Sequence, residues 1–243
     1  MAADVRVSAR DGVGTVELRR PPHNFLDIMQ LRGVTDALHE LAADPDCRSA
    51  VVCAEGKNFC AGRDFSAPRG PGDDSASIYS EAARLMTAEI PWIAAVQGAA
   101  VGAGLGLALC ADFRVAGPRA SFAANFVAHG LHHGFGLTAT LPRVVGLQTA
   151  TELLYTGRRV RVEDAARIGL VNRVTGEDEL RDAATAMAAE LAASPPAAVA
   201  AIRATMRRGL VDDFRAATAR ESERQAALSA RPETSRTPDD TRP

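Results

Sequence analysis

Three short runs, SAVVCAE (49–55), WIAAVQG (92–98) and FRVAG (113–117), are mostly apolar from end to end. A strand with one wet face alternates apolar and polar residues, so these runs predict strands buried on both faces. Around them the period changes. Ile28, Leu31, Val34, Leu38 and Leu41 recur at helical spacing, and a second helix is expected over about 78–89. DVRVSAR and VGTVELR alternate across the turn DGVG and predict a hairpin. Strands and helices alternating through the first half make the expected class α/β.

From Gly146 onward the pattern turns helical: LQTATELLYTG, VEDAARIG, EDELRDAATAMAAELAAS and PPAAVAAIRATMRRGL each carry helix start or stop signals. The expected organisation is a core over 1–145, a helical region over 146–228 and a disordered tail over 229–243, where three prolines stand among almost no apolar residues. PRGPGDDSAS (68–77) reads as a loop. With 47% hydrophobic residues among 243, the chain has material for a sizeable core.

A formal charge of -2 and an isoelectric point near 6.2 offer no basic field for nucleic acid. Cys47, Cys53, Cys60 and Cys110 form no C-x-x-C pair and read as buried free thiols of a reducing compartment. The N-terminus lacks the build of a signal peptide. No apolar run approaches the roughly 18 residues of a membrane helix, so a cytoplasmic protein is expected.

VGAGLGLALCADF (101–113) is a glycine-lined turn opening a short buried helix, a build that brings backbone N–H groups to negative charge. A dinucleotide-binding loop is the rival reading. Its G-x-G-x-x-G spacing is absent here, and no acid stands near position 120 for a ribose.

Three segments, EGKNFCAGRDF (55–65), IPWIAAVQGAAVGAGLGLALCADFRVA (90–116) and TGRRVRVEDAARIGLVNRV (156–174), together resemble the crotonase, or enoyl-CoA hydratase/isomerase, family over about residues 5–225. The resemblance implies a crotonase-like spiral of ββα units with a C-terminal helical trimerisation region, giving a homotrimer or a dimer of trimers. It also implies an acyl-CoA thioester as ligand, with no permanently bound cofactor and no metal. By position, the thioester oxygen would be held by the backbone N–H groups of Arg63 and Ala103, with Gly102 and Gly104 keeping side chains clear. RRPPHN would run beside the coenzyme A, with Arg19 or Arg20 at its phosphates, Asn24 in the same segment and the Ala61 backbone at the adenine. Asp64, next to Arg63, is expected to cap the following turn beside the cofactor.

The same comparison exposes a departure. Family hydratases hold a water between two glutamates, and those positions fall here on Gly106 and Phe126. A third position, aspartate in some isomerases and a dehalogenase, falls on Gly134. None can move a proton. His132 and His133 are the expected replacements, with His129 read as a surface or packing residue and Glu81 as an outside candidate for a base. Phe126 suits a hydrophobic acyl or aryl group. The expected function is enolate chemistry on an acyl-CoA by a route without the glutamate pair. A non-catalytic acyl-CoA-binding protein is the alternative, and a structural paralogue a third reading.

Overall fold

The computed structural model describes residues 4–66, 70 and 72–230. The elements run β1 (Val5–Arg10), β2 (Val13–Leu18), α1 (Ile28–Ala43), β3 (Ser49–Ala54), α2 (Ser75–Leu85), β4 (Trp92–Val96), β5 (Ala99–Val101), α3 (Ala103–Cys110), β6 (Phe113–Ala116) and β7 (Ser121–Ala123). After a 3-10 turn at Asn125–His129 come α4 (Leu137–Val145), α5 (Leu147–Thr156), β8 (Val160–Arg161), α6 (Val162–Arg167), β9 (Arg173–Val174), α7 (Leu180–Ala193), α8 (Pro196–Met206) and α9 (Leu210–Ser229).

One sheet has the order β1-β2-β3-β4-β6-β9 and a second the order β5-β7-β8. The hairpin β1–β2 is antiparallel, and the first sheet is parallel from β2 onward. Each of β4–β5 and β6–β7 steps from the first sheet to the second, which is the ββα winding expected of the resemblance. The helical region is not a separate unit, because β8 and β9 extend the two sheets.

Burial on two faces explains the apolar runs. Ala50, Val52 and Ala54 of β3, with Trp92, Ala94 and Val96 of β4, join the larger core under α1 and α2. The alternate residues, Val51, Cys53, Ile93 and Ala95, face the other way into a second cluster. That cluster is closed by Leu180, Ala184, Ala188 and Ala192, a stripe of mostly alanines at four-residue spacing that lets α7 lie close on the sheet. Among the described residues no single helix is long and apolar enough to cross a membrane, and the α7–α8 pair that suffices in sum is bent by 108°.

The α2 boundary differs from expectation. The helix begins at Ser75, where the sequence reads as loop, because Asp74 accepts the Ser77 N–H at 2.8 Å and caps it. The rest of that loop at 67–69 and 71, and the tail beyond 230, lie outside the described residues. Ser229 closes α9 and so belongs to the helix.

Candidate active site

The site is built on a seam between two loops. Cys60 and Ala100 form an isolated parallel bridge. Cys60 N–H donates to Ala99 O at 3.0 Å, and Val101 N–H to Cys60 O at 3.0 Å. Beyond it, glycine lets the main chains touch. A Cβ on Gly62 (φ +85°) would stand 2.6 Å from Val101 O, and one on Gly104 would fall on the Cys60 carbonyl. Arg63 and Ala103 each stand three residues past the bridge, and both line one cavity of about 350 Å³. Ala103 opens α3, so its N–H has no acceptor within the helix and carries the positive end of the helix dipole. Gly102 holds φ +56°, ψ -116°, a conformation closed to residues with a side chain.

The vacant acid positions are filled space. A Cβ on Gly106 would meet the Phe135 ring at 2.6 Å and its Cβ at 2.7 Å. Phe135 is fully buried and takes φ +59° to turn inward. A Cβ on Gly134 would overlap the Tyr79 hydroxyl. Phe126 lines the cavity directly. Two aromatic rings thus occupy the side-chain space at positions 106 and 134.

His132 and His133 do not line the cavity; His129 does. The His132 ring turns back on its own loop, with Nδ1 2.7 Å from His133 O, and the two imidazoles stack at 4.1 Å. His133 Nε2 lies 2.8 Å from Thr138 Oγ1, whose hydroxyl donates to Glu221 at 2.7 Å. That order makes His133 the donor to Thr138. Burial first, then His132, pushes His133 down to about 4, although Glu221 stands 3.9 Å away. The loop is turned this way because Glu221, from α9, accepts the Gly136 N–H at 2.7 Å and the Thr138 N–H at 3.0 Å, capping α4 from a distance.

At the expected coenzyme end, Ala61 and Asp64 line the cavity. Asp64 accepts the Ser66 N–H at 2.8 Å and its hydroxyl at 2.6 Å, which closes the following turn. Arg20 is held between Asp4 and Asp27, and Arg19 pairs with Glu55 at 3.0 Å, so each guanidinium already has carboxylate partners. Asn24 is fully buried. Its Oδ1 accepts the Arg20 N–H at 2.8 Å, and its Nδ2 donates to Glu55 O and Asn58 O, both at 2.8 Å. It shapes the loop beside Ala61 and, fully buried and outside the cavity lining, is not presented to a ligand. Glu81 is turned to Arg84 at 2.8 Å, away from the cavity. Burial pushes the Cys60 thiol up to about 12, which removes it as a nucleophile.

Sequence reasoning passed over the polar groups that the structure gathers at the cavity: Asn125, His129, and Gln225 with Ser229 of α9. Asn125 Nδ2 lies 3.2 Å from His129 Nε2, and the His129 ring stacks on Phe65 at 4.5 Å. The one available signal was the buried stripe Thr218, Glu221 and Gln225, polar residues at helical spacing that read as a solvated face.

Comparisons with known proteins agree with this geometry. The profile of the Enoyl-CoA hydratase/isomerase family matches residues 8–237. A Mycobacterium tuberculosis protein named as a probable enoyl-CoA hydratase is 45% identical over 176 residues, covering 70% of this chain and 68% of its own length. The 4-chlorobenzoyl coenzyme A dehalogenase-2 of an Arthrobacter species is 34% identical over 201 residues, covering 79% and 73%. The crystal structure of an enoyl-CoA hydratase/isomerase from Pseudoalteromonas atlantica T6c superposes with a TM-score of 0.86 at 27% identity, covering 95% of this chain and 93% of that one. The chain belongs to the enoyl-CoA hydratase/isomerase family.

Proposed function

We propose that the cavity binds an acyl-CoA thioester with its carbonyl oxygen between the N–H groups of Arg63 and Ala103, and that it stabilises the enolate of the acyl group there. The observation that carries this reading is that both residues stand the same three positions past one backbone pairing and line one cavity. When a base takes a proton from the carbon beside the thioester, the C–H electron pair becomes the enolate C=C bond and the carbonyl π pair moves to oxygen. Fixed donors aimed at that oxygen are each worth about 2.7–4 kcal/mol. His129 takes the proton in this scheme. It lines the cavity, where the Phe65 ring at 4.5 Å and the Asn125 amide hold the imidazole in place. Hydration through a glutamate pair is not part of this reading, because the positions expected for those acids fall on Gly106 and Phe126. Isomerisation, retro-addition and hydrolysis all develop charge on the same oxygen.

One observation favours a second reading, a non-catalytic acyl-CoA-binding protein: Phe135 and Tyr79 fill the side-chain space of positions 106 and 134. Incubation with a saturated acyl-CoA in D₂O, with calorimetry alongside, separates the two. The enzyme reading expects exchange at the α-carbon that falls about 100-fold in His129→Gln. Binding without exchange supports the carrier. Absence of binding overturns both.

The same reading takes the chain as a homotrimer or a dimer of trimers. Arg203 and Arg207 hold α8 to the body through Asp112 at 3.0 and 2.9 Å. Ile202 and Met206 of the same helix are 64% and 79% exposed and offer an apolar face to another copy. Sedimentation giving only the monomer mass would overturn this.

A further inference from the structure

One side of the cavity departs from an apolar acyl tunnel. Leu26, Ile78, Leu131 and Phe126 line it with hydrocarbon. Beside them stand Tyr79 and Gln225, whose residues are only 6% and 7% exposed and which both line the cavity. The Gln225 amide is fixed at both ends: its Oε1 accepts the Ser75 hydroxyl at 2.9 Å and its Nε2 donates to His132 O at 2.7 Å.

Gln225 Nε2 and the Tyr79 hydroxyl both stand against Gly134, and an amide NH₂ only donates, so it offers the phenol proton no acceptor and leaves that proton to donate elsewhere. Among the described residues, the Tyr79 hydroxyl donates to no carbonyl or side chain. Burial, and then the Glu221 carboxylate, hold this phenol well above its ordinary pKa, with Gln225 acting against them. It therefore stays protonated and serves as a donor. A donor that faces the cavity without a protein acceptor is paired when a ligand supplies one.

We infer that Tyr79, oriented by Gln225, donates a hydrogen bond to a neutral oxygen, a hydroxyl or a carbonyl, carried by the acyl chain of the bound thioester. The inference rests on the acyl-CoA reading above and narrows its substrate to oxygenated, uncharged acyl groups. An anionic chain end is disfavoured, because Asp73 lines the same cavity and Glu221 acts on Tyr79 from behind. A plain hydrocarbon chain would leave the phenol unpaired.

A matched series tests this by calorimetry: hexanoyl-CoA, its hydroxy and oxo derivatives at each carbon from C3 to C6, and adipoyl-CoA. At least one neutral oxygenated member is expected to bind about 10-fold more tightly than hexanoyl-CoA, and in Tyr79→Phe that ratio should fall to within about twofold. Phenylalanine keeps the ring that fills the space beside Gly134, so the fold is retained. Gln225→Met should reduce the ratio in the same direction by freeing the phenol to rotate. Equal binding of all neutral members by the wild type, an advantage that survives Tyr79→Phe, or adipoyl-CoA binding most tightly would each overturn the inference. If hexanoyl-CoA and every derivative fail to bind, the thioester reading itself has failed, and the inference falls with it.

Discussion

The wall of the cavity at Gly62–Arg63 and Gly102–Ala103 is main chain, whereas the wall at Tyr79, Phe126 and Gln225 is side chain. The first is set by neighbours a few residues away: a bridge at Cys60–Ala100, then glycine on both strands of the seam. The second is assembled from α2, α9 and the loop before α4, elements separated by up to 150 residues, as in the Ser75–Gln225 contact. In the proposed reading the main-chain wall holds the thioester oxygen and the side-chain wall selects the acyl group. The side-chain wall is also where aromatic rings fill the space beside Gly106 and Gly134.

The most forceful way to break the comparison is to spoil the main-chain wall with one methyl group. A Cβ at position 104 lands on the Cys60 carbonyl, with Cys60 C at 2.8 Å, and backbone on both sides cannot step aside cheaply. Gly104→Ala is expected to cost about 3 kcal/mol or more in urea unfolding and to abolish acyl-CoA binding. A variant of native stability and affinity would mean that the seam is looser than the packing implies.

The side-chain wall should instead behave as coupled parts. Gly106→Glu reintroduces an acid where Phe135 now sits, with the ring 2.6 Å from the new Cβ. Alone it should destabilise by roughly 3 kcal/mol through overpacking, and Phe135→Ala alone by roughly 3–5 kcal/mol through the cavity it leaves. The double variant should recover about 2 kcal/mol relative to the sum, because each change makes room for or fills the other. Strict additivity, measured by the same unfolding cycle, would show that the two positions do not share that space.

The same division governs what could be read from sequence. Strands β3 and β4 are legible because two-sided burial leaves a continuous apolar run, and the seam is legible because glycine is needed locally at positions 62, 102 and 104. The histidine loop is not. That neither histidine of HHGFG lines the cavity depends on Phe135 adopting a positive φ and on Glu221 gripping Gly136 and Thr138 from 85 and 83 residues away. In the sequence, Thr218, Glu221 and Gln225 look like the wet side of a terminal helix. Only docking of α9 against α2 and the start of α4, where unpaired helix N–H groups wait, turns that stripe inward. Asn24 is hidden for a related reason: its segment resembles a ligand-binding one, but its three hydrogen bonds are spent on the backbone around it.

The smallest effect sharpens the comparison through pH. His133 sits in the side-chain wall's supporting layer with a folded pKa near 4, against about 6.5 when unfolded, because burial and His132 oppose its charge. Between those values the unfolded chain binds more protons than the folded one, so stability must fall as pH drops from about 6.5 toward 4 and level off below. With the side chain 19% exposed, on the order of 1–2 kcal/mol is expected from this group. His133→Asn can still donate to Thr138 and cannot titrate, so the wild type should lose about 1–2 kcal/mol of unfolding free energy relative to the variant between pH 7 and pH 4. The main-chain wall contains no such group. Acyl-CoA binding by the folded fraction should therefore stay flat in the variant over the same interval, and a binding curve that still bends there would place a titrating group in the cavity itself.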